Sequence, residues 1–319
     1  MADEKNLGRE VNGWTAPPRP DGLTLNGRFV SLEPLDAAKH AADLFRAFDG
    51  HDELWDYMPV GPFASSASFH RWMRDATAQK DPYFFAIRDV QRGKWVGFCS
   101  LLRISPEAGS IEVGFIPFSP ELQRTPAATE TMFLLMQWAF EAGYRRYEWK
   151  CNALNMPSRR AAQRLGFSYE GVFRQHMVVK GRNRDTAWFA VIDSEWPALK
   201  EAFGVWLNPA NFDRDGRQKE RLADLTALVR VASDPAPPPG AWPGRVEPTA
   251  RLNSSRTSGS GSWPRASNRS SRPASAAAQT ACARSIGPGC RRYRSNRSTT
   301  PGVVWSAVLP NTTRAFRLR

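Results

Sequence analysis

The 319-residue chain predicts a mixed α/β domain, a central mixed sheet flanked by helices, followed by a tail that does not fold. Three observations carry that expectation. Between Tyr83 and Phe118, three apolar strand runs follow one another across turn signals. From Ser110 to Cys151 the order is strand, capped helix, strand. From Asp234 onward the composition turns to Pro, Ser, Arg, Gly, Ala and Thr, with no apolar periodicity.

Taken in order, residues 1–22 contain Ala16-Pro-Pro-Arg-Pro20 and read as an extended arm. Gly27–Glu33 reads as a first strand. A helix follows from about Asp36, a natural N-cap, with Ala41, Leu44, Phe45 and Phe48 on one face. A loop dense in aromatics and proline, Leu54–Phe63, precedes a second helix over Ser65–Gln79 with Phe69, Trp72 and Met73 inward. The three strands span Tyr83–Asp89, Trp95–Ile104 and Ser110–Phe118, turning at Gly93 and at Pro106–Gly109. Strict alternation in the third sets Ile111, Val113 and Phe115 on one face and Glu112, Gly114 and Ile116 on the other.

The stretch Ser119–Phe167 organises the rest. Thr125 is a good N-cap and Pro126 falls at the first helical position, where its missing N–H costs nothing. The N–H groups of Ala127, Ala128 and Thr129 then lie at the positive end of the helix dipole behind small side chains, a cradle for an anion such as pyrophosphate. Met132, Leu135, Met136 and Ala139 form the buried stripe, widened by Phe133 and Phe140, and Gly143 is a stop. Tyr147–Cys151 is a short strand. Asn155 leads into a second helix with Pro157 near its start and Gly166 past its end, and the spacing of Ser158, Ala161, Ala162 and Leu165 sets the Ser158 hydroxyl on its buried edge. Ser168–Val179 and Arg184–Ile192 form a hairpin turning at Lys180–Asn183, followed by helices over Glu195–Trp206 and about Arg217–Val229. Read alone, Thr125, Asn155 and Ser158 serve equally as caps.

Over roughly residues 23–200 this ordered pattern resembles the GNAT superfamily of N-acetyltransferases, most closely its RimJ/RimL-like branch. The family's Gln/Arg-x-x-Gly-x-Gly/Ala turn matches Gln123, Arg124, Thr125, Pro126, Ala127 and Ala128, with Pro126 in place of the middle glycine. Its Asn-x-x-Ser-Arg matches Asn155–Arg159 and its Leu-Gly-Phe matches Leu165–Phe167; Thr129-Glu130 matches the branch. The resemblance implies acetyl-CoA as co-substrate, no metal, and transfer of its acetyl group to a primary amine by direct attack. It implies cofactor contacts from Ile116, Gln123, Arg124, Thr125, Ala127, Ala128, Thr129, Asn155, Ser158 and Arg159. It implies that the Glu112–Ile116 strand splays from Tyr147–Cys151, with Gly114 easing the bulge, to admit the pantetheine arm and polarise the thioester carbonyl. Trp55, Tyr57 and Phe63 would wall the acceptor cleft, although they serve as well to close the core. Ser158 would protonate the departing thiolate, Asn155 hold the pantetheine amide, and Glu112 take the amine's proton, unless Glu112 is simply a solvated residue on an open sheet face.

Net charge is +13, but the segment from Asp234 holds fourteen Arg, no Lys and two acids, +12 of that total. Residues 1–233 are therefore nearly neutral, and the high pI says little about their substrate. The division expected is arm 1–22, catalytic domain 23–207, helical extension 208–233 and a disordered Arg/Ser/Pro-rich tail 234–319, whose lysine-free composition also fits out-of-frame translation. Its scattered arginines lack the repeats and interleaved aromatics of a nucleic-acid-binding segment. Four cysteines without CxxC spacing read as reduced thiols, and the N-terminus lacks an apolar leader, so a cytoplasmic protein that does not enter the membrane is expected. A non-catalytic acyl-CoA sensor and nucleic-acid binding through the tail stay open as alternatives; the acceptor amine and oligomeric state are not readable.

Overall fold

The structure, a computed structural model, describes residues 7–236. Its strands are β1 (Leu25–Asn26), β2 (Val30–Pro34), β3 (Tyr83–Asp89), β4 (Lys94–Ser105), β5 (Ser110–Gly114), β6 (Arg146–Asn152), β7 (Ser168–Val179) and β8 (Arg182–Ile192). Its helices are α1 (Ala37–Ala47), α2 (Ser66–Thr77), α3 (Pro126–Glu141), α4 (Met156–Arg164), α5 (Trp196–Leu207) and α6 (Leu222–Ala227). One sheet runs β1-β2-β3-β4-β5-β6-β8-β7, and every pairing is antiparallel except β5 with β6. That parallel pair requires the α3 crossover.

Two apolar layers sandwich the sheet. Ile111, Val113, Tyr147, Trp149 and Cys151 pack with Met132, Leu135 and Met136 of α3 and Ala162 of α4. On the other face Phe84, Ala86 and Phe98 pack with Leu44 of α1 and Phe69 and Met73 of α2. The helix starts follow local chemistry: Asp36 accepts from the Lys39 N–H, Ser65 and Ser68 form a capping box, and Thr125 caps α3 with Pro126 at N1.

Three expectations need correction. The strand expected to reach Phe118 ends at Gly114, because Phe115 takes φ +47°. That bulge puts Phe115 on the α1/α2 face, 5.5 Å from the Phe84 ring centroid, and turns Ile116 onto the α3 face, reversing the alternation. The final helix is only Leu222–Ala227, since the Asn211 side chain bonds the Glu220 N–H and carbonyl and holds residues before it out of helix. The strand expected over Gly27–Glu33 is β2 and starts at Val30, because the N–H groups of Arg28, Phe29 and Val30 all donate to the buried Glu130 carboxylate. A Cβ at Gly27 would collide with that carboxyl.

The C-terminal boundary also moves. Asp234, assigned above to the tail, is buried and paired with Arg159, and the Ala232 carbonyl accepts from the Tyr169 N–H. Residues 237–319, with the readings placed on them, lie outside the described residues.

Candidate active site

The sheet opens where β5 gives out. Pairing with β6 covers Ser110–Val113 against Arg146–Trp149, yet β6 continues to Asn152 with β8 as its neighbour. Past Gly114 the chain leans the other way, onto β4: the Phe98 N–H donates to the Pro117 carbonyl and the Ser119 N–H to the Val96 carbonyl. The result is a slot bounded by Gly114–Ile116 and Lys150–Asn152, and the Ile116 N–H has no acceptor among the described residues. Ser100 Oγ anchors the near wall by donating to the Gly114 carbonyl at 3.0 Å.

At the α3 end of the slot, Thr125 Oγ1 accepts from the Ala128 N–H and donates to the Leu122 carbonyl. Among the described residues the N–H groups of Arg124, Thr125 and Ala127 have no acceptor, so the helix presents an unsatisfied positive end. Arg124, at φ +60°, is exposed, whereas Gln123 Nε2 donates to the Phe118 carbonyl at 2.9 Å. Ala128 is half-buried; Ala127 is a core residue, 7 % exposed. Thr129 points inward and accepts from Arg164 Nη1, so its side chain is not presented to the slot.

On the far side Asn155 caps α4, its Oδ1 accepting from the Ser158 N–H at 3.1 Å. Ser158 Oγ accepts from Trp149 Nε1 at 3.0 Å, which leaves its own proton to donate. Burial pushes the neighbouring Cys151 thiol up to about 11 despite the Ser158 hydroxyl. Arg159 is not free to meet a cofactor phosphate. Its Nε donates to Asp234 at 2.7 Å, Nη2 also meets Asp234, and Nη1 donates to the Ala153 carbonyl at 2.8 Å.

Glu112 is not on an open sheet face: it is 3 % exposed. Arg103 Nη1 donates to both its oxygens at 2.8 Å, and Lys150 Nζ lies 2.9 Å away. Burial pushes its carboxyl pKa up, against the pull of the two cations. Lys150 also bonds Glu148 and sits 3.8 Å from the Trp188 ring centroid, and Arg146 ties Glu148 to Glu170. Arg103 reaches Glu112 from a bulge at φ +47°, where Asp81 accepts from the Arg103 and Ile104 N–H groups.

The three aromatics divide. Trp55 is 3 % exposed inside a cluster with Phe48, Phe69 and Phe98, and Phe63 packs on Trp55, Phe69 and Trp72; both close the core. Tyr57 alone is exposed, and its hydroxyl donates to the Leu154 carbonyl across the mouth at 3.3 Å. Lys180, at the hairpin turn, similarly donates to the Trp55 carbonyl. Sequence reasoning missed Arg103, Lys150, Tyr57's partner and Asp234. Only Lys150 left a trace, as the polar residue alternating with Trp149 and Cys151 on the strand next to that of Glu112.

Comparison with known proteins follows this geometry. The model of the acetyltransferase (GNAT) domain matches residues 30–168. A crystal structure of a GCN5-related N-acetyltransferase from Brucella melitensis is 50 % identical, covers 68 % of this chain and 100 % of that one, and gives a TM-score of 0.67. A probable acetyltransferase (GNAT family) from Chromobacterium violaceum is 41 % identical over 62 % of this chain and 100 % of its own, with a TM-score of 0.58. An uncharacterized N-acetyltransferase, p20, from Bacillus licheniformis is 24 % identical over 49 % of this chain and 89 % of its own. Among the described residues no group of side chains could hold a metal ion, and no helix is long and apolar enough to cross a membrane. The splayed strands, the capped anion-ready helix and half-identity to a GCN5-related enzyme over that enzyme's whole length converge: this chain belongs to the GNAT family and is an acetyl-CoA-dependent acetyltransferase.

Proposed function

We propose that the protein moves the acetyl group of acetyl-CoA onto a primary amine, a small-molecule amine or a protein N-terminus, by direct attack within the slot. One observation carries the reading: the slot opens between the unsatisfied α3 N-terminus on one side and the buried Glu112 carboxylate on the other. The Thr129-Glu130 pair supports the RimJ/RimL-like branch. The N–H groups of Arg124, Thr125 and Ala127 would hold the pyrophosphate, with Arg124's exposed side chain replacing the donor that Pro126 lacks. The Ile116 N–H would polarise the thioester carbonyl. The amine nitrogen bonds to the carbonyl carbon, the C–S bond breaks, and the thiolate leaves with a proton from Ser158, whose hydroxyl is restored by a proton from water as the one taken from the amine passes to solvent. Glu112, its carboxyl made more basic by burial against the pull of Arg103 and Lys150, would accept the proton lost from the amine, directly or through water. A thiol-release assay with acetyl-CoA and a panel of amines tests the reading; absence of turnover with every amine class would count against it.

Three variants address the proton transfers. Ser158→Ala is expected to lower kcat about 10- to 100-fold with little change in acetyl-CoA affinity, since one proton-transfer partner is lost. Wild-type kcat in that variant removes Ser158 from the chemistry. Glu112→Gln is expected to lower kcat and displace the pH–rate profile towards higher pH, where free amine needs no base. Glu112→Asp, which keeps a carboxylate, should hold the wild-type profile at reduced rate. Identical profiles for Gln and wild type between about pH 6 and 9 would leave Glu112 a structural ion-pair partner only.

A further inference from the structure

We infer that the acceptor carries an anionic group, a carboxylate, beside its amine, and that Arg184 is the residue that reads it; this rests on the acetyl-transfer reading above. Charge accounting on the acceptor face points there. Three carboxylates, Glu112, Glu148 and Glu170, are matched by Arg103, Lys150 and Arg146. Arg184 is a fourth cation, half-buried, with no ion-pair partner among the described residues and with Nε both covered and unbonded. Burial pulls its pKa down, the sign of a guanidinium removed from water without full compensation. Four residues along the same strand, Trp188 Nε1 is a second covered donor without an acceptor among the described residues. Two neighbouring side chains are engaged: the Asp185 carboxylate accepts from the Gln175 N–H and from Asn183, and His176 Nδ1 meets Thr186 Oγ1.

Position completes the argument. Asn152, the last residue of β6 beside the slot, pairs with Thr186, and Arg184 stands two residues further along β8, about 7 Å in strand rise. One small molecule spans that gap with its amine at the slot and its carboxylate at Arg184. The anion is not the cofactor's pyrophosphate, because the α3 N-terminus lies across the slot, on the β5 side of β6, whereas β8 borders β6 on its other edge. Phe173, exposed, paired with Thr186 and 4.4 Å from Trp188 between ring centroids, adds an apolar surface along the stretch between the slot and Arg184. A fork of guanidinium donors suits a carboxylate better than any cationic amine, so polyamines are selected against.

The same chemistry can come from a free amino acid or from a peptide N-terminus with an acidic second residue. The experiment therefore uses matched pairs with the full-length protein: L-phenylalanine and L-phenylalaninamide, a hexapeptide with Glu second and its Gln twin, and spermidine. In the wild type, kcat/KM should favour the anionic member of one pair by about 10- to 100-fold, as a charged hydrogen bond implies. Arg184→Gln should bring that pair near parity, mainly through KM, and Arg184→Lys should restore part of the preference. Whichever pair responds identifies the source. The proposal is overturned if no pair shows a preference, if Arg184→Gln keeps it, or if Arg184→Gln lowers kcat equally for both members, which would make Arg184 an oxyanion donor instead. Acetyl-CoA that binds without any anionic amine being acetylated also overturns it. Failure of acetyl-CoA to bind, measured by calorimetry, overturns the underlying reading as well.

Discussion

Replacing Ala128 by Asp is expected to weaken acetyl-CoA binding about a thousandfold while the fold survives. Two like charges about 4 Å apart near a protein surface repel by about 4 kcal/mol, which converts to that factor. The position makes the test clean. Ala128 is the third helical residue, half-buried, where an acidic side chain suits the helix dipole, so the substitution opposes the ligand without opposing α3. Ala127→Asp would not serve, because Ala127 packs in the core and a buried carboxylate there would unfold the region. Calorimetric titration of wild type, Ala128→Asp and the neutral Ala128→Asn reads the effect. Near-wild-type affinity in the Asp variant removes the pyrophosphate from the α3 N-terminus.

Asp234→Asn should cost about 3 kcal/mol, because it leaves the buried Arg159 guanidinium without its counter-charge. For a folded unit of this size that is roughly 6–12 °C in Tm. Ending the chain at residue 233 should do the same, although composition alone sets the tail's start at Asp234. The loss should reach function, since Arg159 follows Ser158 directly and also holds the Ala153 carbonyl at the end of β6. A raised KM for acetyl-CoA is therefore expected beside the lower Tm. Arg159→Met with Asp234→Leu should recover the stability, as apolar replacement of a buried pair commonly does. An unchanged Tm in Asp234→Asn would show that water, not Asp234, satisfies Arg159.

Most elements were legible because they rest on short-range physics. Thr125-Pro126, Asn155 and Asp36 each cap the helix expected of them, since a cap is decided by residues three positions apart. The stripe Met132, Leu135, Met136 and Ala139 is buried throughout because its periodicity needs only the helix and one apolar neighbour. Strand faces were legible up to Gly114 and failed at Phe115, where the bulge reverses the alternation by a backbone twist that no side-chain pattern announces.

The sequence by itself determined the mixed α/β fold, the strand and capped helix that follow one another from Ser110, and the residues Asn155 and Ser158 at one end of α4. Local hydrogen bonding and periodicity suffice for these. Only the tertiary structure decided the electrostatics. Glu112, Arg103 and Lys150 come from three adjacent strands, and Arg159 meets Asp234 across 75 residues of chain. Whether a carboxylate is solvated or buried, and which cation neutralises it, depends on neighbours brought by the sheet. For that reason the sequence left Glu112 open between a base and a solvated residue, and read Arg159 as a cofactor contact, until the strands were paired.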